Sequence, residues 1–291
     1  MRKRKLFRRL KNRKLNRSAP GNFFVLLFLV LLGLFSVIPL YYTVIQALKP
    51  FTEIYIFPPK FYVSNPTLDN FKVLGDLLST SWVPMSRYLF NSLFVCVVSI
   101  FLHVLVSSAA AFAFAKFEFP GSKLCFKLIV ASLLFSPVVV ALPRYIVMSW
   151  MGMIDTYAAM IAPWVASSLG LFLMKQNMEG INYSIIESAY LDGASDYRVF
   201  WTIAMPAMRP VTFTLIILAF QSIWNEQGAQ YILSEKLKVF QAAISQIQTA
   251  GIARVGAGAA AAVILMIPPI LIFLVSQSNV IETMTNSGMK D

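Results

Sequence analysis

Apolar and polar positions follow one another along this chain in long blocks, with little of the short alternation of a strand. A helix needs about 20 mostly apolar residues, at roughly 1.5 Å rise each, to cross a bilayer. Six nearly charge-free blocks meet that need: Phe23 to Ala47, Tyr88 to Ala115, Leu128 to about Leu142, Tyr157 to Met174, Pro210 to about Leu233 and Val255 to Val280. They predict an all-α, polytopic membrane protein with six transmembrane helices. Pro39 predicts a kink in the first span, Pro137 and Pro143 interrupt the third, and Glu226 falls in the outer third of the fifth. Gly256, Gly258 and the alanines from Ala257 to Ala262 open the sixth with small residues, which lets a neighbouring helix approach closely.

Two polar blocks separate the apolar ones in different ways. Lys49 to Arg87 carries Pro50, Pro58, Pro59 and Pro66, which predicts a loop with at most short helices. Lys175 to Arg209 holds a more ordered pattern. Ser184 followed by Glu187 fits a capping box, so a helix is expected to start at Ser184 and run through Ile185, Ile186, Ala189 and Tyr190 until Gly193 stops it. Ser195 then starts a second helix with Tyr197, Phe200, Trp201 and Ala204 on one face, ended by Pro206 and Pro210.

Charge gives the pattern a direction. The chain has 291 residues, 58% hydrophobic and 13% charged, a balance too apolar for an ordinary soluble domain. Its net charge of +12 would suggest nucleic acid if it were spread over a folded face. Ten of the 25 Lys and Arg instead lie between Arg2 and Arg17, where no fold-forming periodicity accompanies them, and no nucleic-acid partner is expected. With the N-terminus inside, the inner segments carry 17 basic residues against eight outside, so both termini and the block 175–209 are expected in the cytoplasm. The run from Ser18 to Leu48 is longer than a signal-peptide core, so it is expected to remain as the first span. The expected organisation is a basic cytoplasmic segment 1–20, a six-helix membrane domain 21–280 with the insert 181–206, and a cytoplasmic tail 281–291.

Candidate chemistry is sparse. Cys96 and Cys125 lack metal-ligand spacing, His103 is the single histidine and is expected to pack among Leu102, Leu105 and Val106, and no metal site follows. Without paired carboxylates inside the membrane no catalytic constellation is apparent, so no enzyme is expected. Gln221, Ser222, Trp224, Asn225 and Glu226 cluster in span five, with Ser167 and Ser168 in span four and Ser136 in span three. They are candidates for lining a passage, Trp224 by stacking on a sugar ring. The alternative for each is interhelical hydrogen bonding, or for Trp224 anchoring at the membrane interface. Glu187 either completes a capping box or reaches a partner. Asp192 opposes the dipole of its helix, which suggests a use outside that helix or a cap on the next one.

The spacing Glu187, Ala189, Gly193, Ile203 and Pro206 resembles the EAA loop of ABC importer permeases: E-A-A, three residues, G, nine residues, I, any residue, L-P. Ser188 and Met205 are its departures. Leu48-Lys49-Pro50, Phe57-Pro58-Pro59, Asn65 to Phe71, Phe90-Asn91-Ser92, Trp224-Asn225 and the stretch from Gln277 to Gly288 are similar to the maltose-type carbohydrate permeases. The resemblance covers nearly the whole chain. It implies a permease in a bacterial cytoplasmic membrane, taking up a sugar, an oligosaccharide by preference. It further implies a second homologous permease, an ATP-binding cassette ATPase dimer and an extracytoplasmic sugar-binding protein. Glu187, Ser188, Ala189, Asp192, Gly193, Ser195, Ile203 and Pro206 would couple the pore to an ATPase. The chain has no G-x-x-x-x-G-K-[ST] loop, so ATP and magnesium would be held by the ATPase subunits and no cofactor by this chain. The alternative is a secondary transporter or channel not driven by ATP. Such a protein usually shows intramembrane charges and an internal repeat, and here Glu226 is the one charge and no repeat is visible.

Overall fold

The computed structural model describes residues 19–79, 83–228, 230–249, 251 and 254–287, with side chains between 21 and 276. The basic segment as far as Ser18 and residues 288–291 lie outside the described residues. Among the described residues the chain is helical, without strands. The helices are α1 (Ala19–Leu48), α2 (Phe51–Ile54), α3 (Asp69–Ser79), α4 (Met85–Lys116), α5 (Ser122–Ser132), α6 (Pro137–Trp150) and α7 (Tyr157–Val165). There follow α8 (Ser168–Met178), α9 (Tyr183–Leu191), α10 (Asp196–Ala207), α11 (Arg209–Trp224), α12 (Phe240–Thr249) and α13 (Val255–Ser287).

Four helical stretches are long and apolar enough to cross a membrane: Gly21–Leu48, Met85–Lys116, Tyr157–Met178 and Val255–Ser276. The other two predicted spans are bent. α5 and α6 meet at 114°, and α10 and α11 at 77°, which gives four to six spans according to how the bent pairs are counted. The third span is therefore no continuous helix from Leu128. Pro137 begins α6 after an extended Ser136, since its ring has no N–H to carry the ladder onward. Pro143, by contrast, is accommodated inside α6.

The fifth span also ends earlier than its hydropathy suggests, at Trp224 and not Leu233. Glu226 accepts from the Gly228 amide at 3.1 Å in the turn that follows, and Gly228 takes a φ of +62° there. From the loop before α7, the Asp155 carboxylate accepts the Leu233 and Ser234 amides and the Ser234 hydroxyl at 2.8–3.0 Å. Asp155 itself has a φ of +60°, a left-handed conformation that aspartate tolerates better than most residues.

α4 is the central element, packed against α7, α8, α11 and α12. Its inner face carries polar residues buried along its length: Asn91, Ser92, Ser99, His103, Ser107 and Ser108. At one end Asn91 donates to the carbonyls of Lys236 and Lys238 at 2.9 and 2.8 Å and accepts from the Tyr157 hydroxyl at 2.6 Å. Ser92 accepts the Phe240 amide at 2.8 Å and so starts α12. The small residues of α13 do the work expected of them. A Cβ at Gly256 would sit 2.2 Å from Asn70 Oδ1, and Asn70 donates to the Ala47 and Lys49 carbonyls at the end of α1. Glycine there lets α3 and the end of α1 close on α13.

Candidate functional site

The insert between α8 and α11 is built from a buried root and an exposed rim. Ile186 of α9 and Val199, Phe200 and Ala204 of α10 are buried against Ala111, Phe112, Met174, Met178, Met208 and Leu215. Burying a side chain such as Ile186 contributes about 1.5–3 kcal/mol, so the insert is seated on α4, α8 and α11 as a body. Lys116 holds its entry by donating to the Ile181 carbonyl at 3.2 Å. Lys175 pairs with Glu179 at the end of α8 and lies 4.1 Å over the Phe126 ring.

α9 does not start at Ser184. Asn182 caps it, its side chain accepting the Ser184 amide at 3.1 Å, and Ser184 falls in the first turn. The capping-box role of Glu187 disappears with that shift, and its carboxylate is exposed with no hydrogen bond or ion pair among the described residues. At the other end the glycine acts as expected. Gly193 has a φ of +80°, its amide donates to the Tyr190 carbonyl at 3.0 Å, and the Ala194 amide donates to the Ala189 carbonyl at 2.9 Å. These two bonds form a Schellman motif, which closes α9 and needs a left-handed residue at the position of Gly193. Ala189 and Ala194 pack together against the core beneath it. A bulkier residue at either place would lift the turn.

Ser195 caps α10 by accepting the Arg198 amide at 3.4 Å. Tyr190 donates to Asp196 at 2.8 Å across the turn and locks the two helices together. Partial burial, then the neighbouring carboxylate, pushes the Tyr190 phenol up to about 12, so it stays a donor at any physiological pH. The expected face of Tyr197, Phe200, Trp201 and Ala204 is divided. A π turn over Phe200–Ala204 shifts the helical phase, so Phe200 and Ala204 meet the core while Tyr197 is 75% and Trp201 41% exposed. Ile203 is half-buried and Pro206 exposed. The rim thus presents Glu187, Ser188, Asp192 and the exposed Ile185, Leu191 and Tyr197 on one body. A cleft of about 560 Å³ lined by Gln176, Asn177, Asn182 and Ile185 opens beside it.

The span residues separate into two groups. Ser167 caps α8 by accepting the Gly170 amide at 3.2 Å, and Ser168 lies 2.5 Å from Ser132 of α5. Both serines line a cleft of about 310 Å³ with Ser107 of α4, where the span-four helix is broken. The Ser107 hydroxyl and, beside it, His103 Nε2 are buried without a hydrogen-bond partner among the described residues. His103 does more than pack. Its Nδ1 lies 2.6 Å from the Trp164 carbonyl, which can only accept, so Nδ1 carries the proton and holds the broken span. A Cβ at Gly170 would come within 2.7 Å of both Ser107 Oγ and His103 Nε2. The spacing of Ser99, His103 and Ser107 at every fourth residue is the sequence signal for this polar line.

Ser136 precedes α6 and lines none of that cleft. In α11, Asn225 donates to the Gln221 carbonyl at 2.7 Å and Ser222 to the Leu218 carbonyl at 3.0 Å, and all three residues are exposed. Trp224 is placed against the expectation of sugar stacking. It is 6% exposed, stacks on Phe220 and donates its indole N–H to the Leu265 carbonyl at 3.1 Å.

Residues 88–285 match the family described as binding-protein-dependent transport system inner membrane component. The chain belongs to that family. This permease is accordingly a non-catalytic membrane component of a transport system. It is 26% identical over 275 residues to the sulfoquinovosyl glycerol transport system permease protein SmoH of Agrobacterium fabrum, covering 93% of this chain and 94% of that one. The arabinooligosaccharides transport system permease protein AraQ of Halalkalibacterium halodurans is 28% identical over 196 residues, covering 65% of this permease and 67% of its relative. In fold it matches a chain from the crystal structure of a bacterial ABC transporter involved in import of the acidic polysaccharide alginate. That match has a TM-score of 0.77 at 20% identity and covers 90% of this chain and 98% of the other.

Proposed function

We infer that this permease is one half of the pore of an ATP-driven sugar importer, with an oligosaccharide as the substrate favoured by the names of its relatives. The observation that carries the reading is the insert 181–206. It is a two-helix body rooted on three spanning elements, and its rim offers carboxylates at Glu187 and Asp192, unpaired among the described residues, beside exposed Ile185, Leu191 and Tyr197. A protein that used this surface for nothing would leave apolar side chains in water without return. An ATPase that received it in a cleft would bury them and offer basic groups to the two acids. Movement of that ATPase on closing around ATP would then be passed to α4, α8 and α11 as a rigid-body shift.

In this reading the chain has six spans, with both bent pairs counted, and its termini and insert lie in the cytoplasm of a bacterium, as the basic residues favour. A second permease completes the pore, an ATPase dimer holds ATP and magnesium, and an extracytoplasmic binding protein delivers the sugar. Ser167 and Ser168, with Ser107 and Ser132, are the hydroxyls we assign to the passage, together with exposed Gln221, Ser222 and Asn225. Glu187→Arg tests the coupling. It is expected to leave the permease inserted and assembled while uptake falls to background, because a charge-assisted contact of about 1–3 kcal/mol becomes a repulsion. Normal ATP-dependent uptake by that variant, or uptake by the chain alone without ATP, would overturn the reading.

A further inference from the structure

Trp201 and Met205, at the π turn and last turn of α10, line two adjoining clefts of different chemistry. The first, of about 410 Å³, runs between α10, Ile216 of α11 and a stripe of α4 that includes Val97, Phe101 and Leu105. Its wall is wholly apolar, and Val97 and Phe101 are 65% and 64% exposed. The second, of about 350 Å³, places Arg209 and Thr212 beside the same two residues. Thr212 spends its hydroxyl on the Met208 carbonyl. The Arg209 guanidinium is exposed and has no ion pair or side-chain hydrogen bond among the described residues. It stands at the start of the 16-residue α11, whose dipole adds to the positive potential.

We propose that the two clefts form one site for a single anionic phospholipid, with an acyl chain in the apolar cleft and the phosphate on Arg209. A polar ligand would lose its hydrogen bonds in the first cleft, whereas a hydrocarbon chain loses none. A guanidinium in the second presents paired donors that match a phosphate. An inorganic phosphate would leave the apolar cleft unfilled, and a neutral apolar molecule would leave Arg209 unused. The site spans the 77° elbow between α10 and α11, so the lipid joins the insert to α4. The proposal rests on the assignment of this face to the cytoplasmic leaflet. Lipid retention is measured without transport, so the two can fail separately.

The test is native mass spectrometry of the full-length permease, purified with the subunits that accompany it and equilibrated with equal parts phosphatidylglycerol and phosphatidylcholine. One retained phosphatidylglycerol is expected. Arg209→Gln should weaken its retention about fivefold, as one basic residue at a headgroup does, and Val97→Trp should expel it by filling the cleft with Arg209 intact. Lys123→Gln, the same charge change elsewhere on that face, should have no effect, and excess inorganic phosphate should not displace the lipid. Equal retention of both lipids would overturn the proposal, as would equal losses in the Arg209 and Lys123 variants or displacement by phosphate. So would a Val97→Cys variant that cross-links to an accompanying subunit, because the cleft would then be covered by protein.

Discussion

The two connections that flank α11 are both polar, and they are held in opposite ways. The insert before it is fastened mainly by apolar burial beneath and main-chain bonds within, and the carboxylates of Glu187 and Asp192 stand at its rim without a partner among the described residues. The loop after it, from Asn225 to Val239, is fastened by side chains from elsewhere: Asn91, Arg87, Tyr88 and Asp155 each hold part of it. A body held by burial can shift over a smooth apolar seat without leaving a polar group unpaired. A loop held by hydrogen bonds from several other elements cannot shift without breaking them. On the function proposed above, one end of α11 would transmit motion and the other resist it.

Gly193→Val is the sharpest way to break the first arrangement. Among the described residues beyond its chain neighbours, nothing lies within 4 Å of the added Cβ, so the effect is chiefly conformational. A β-branched residue at a φ of +80° carries a strain of about 1–2 kcal/mol, relieved by opening the Schellman turn and tilting α9. Uptake is expected to fall about tenfold or more, as a shift of that energy implies, while the thermal stability of the purified permease stays nearly unchanged. A large loss of stability with uptake in proportion to folded protein would mean that the turn serves the fold alone.

Asn91→Ala attacks the other arrangement and should give the reverse result. It takes the Asn91 donor from the Lys238 carbonyl and the acceptor from the Tyr157 hydroxyl, at a side chain that is fully buried. The expected cost is about 2 kcal/mol, measured as a lower melting temperature and faster proteolysis between Asn225 and Val239. The folded fraction should still couple ATP hydrolysis to uptake. If it does not, the two ends of α11 are linked and the contrast between them fails.

What could be read from the sequence was whatever depends on neighbours along the chain. Four of the six apolar blocks appear as membrane-length helices, because such a helix satisfies its own backbone, and Gly193 and Ser195 punctuate the insert by local rules. The misreadings come from contacts that the sequence does not carry. Span five stops early because Asp155, 78 positions before Leu233, captures residues 233 and 234. Ser184 and Asn182 are both competent caps two residues apart, and the helix phase is set by the need to bury Ile186. A π turn invisible to a 3.6-residue period turned Tyr197 and Trp201 outward. Ser107, Ser132 and His103 escaped notice as members of a site because the breaks in spans three and four bring them to Ser167 and Ser168 only in three dimensions.

The smallest expected effect concerns the acid limit of the pinned loop. Hydrogen bonds from the Ser234 amide and hydroxyl, opposed by partial burial and aided by the Leu233 amide, hold the Asp155 carboxyl below its ordinary 3.8. The folded state thus gives up this proton more readily than the unfolded one. Its stabilisation is complete above the ordinary value and is lost as the pH falls through the lowered one. Glu235 is also held below its ordinary value: burial raises it, but hydrogen bonds from Lys238 and Tyr88 outweigh that. Asp155→Asn keeps the tolerance for a φ of +60° and removes the charge. Proteolysis of the 225–239 loop, followed from about pH 6 to about pH 3, should accelerate on acidification in the native permease. The variant should start faster and accelerate less, Glu235 supplying what slope remains. An unchanged slope would assign the acid sensitivity to Glu235 and leave Asp155 as a hydrogen-bonding pin whose charge is not needed.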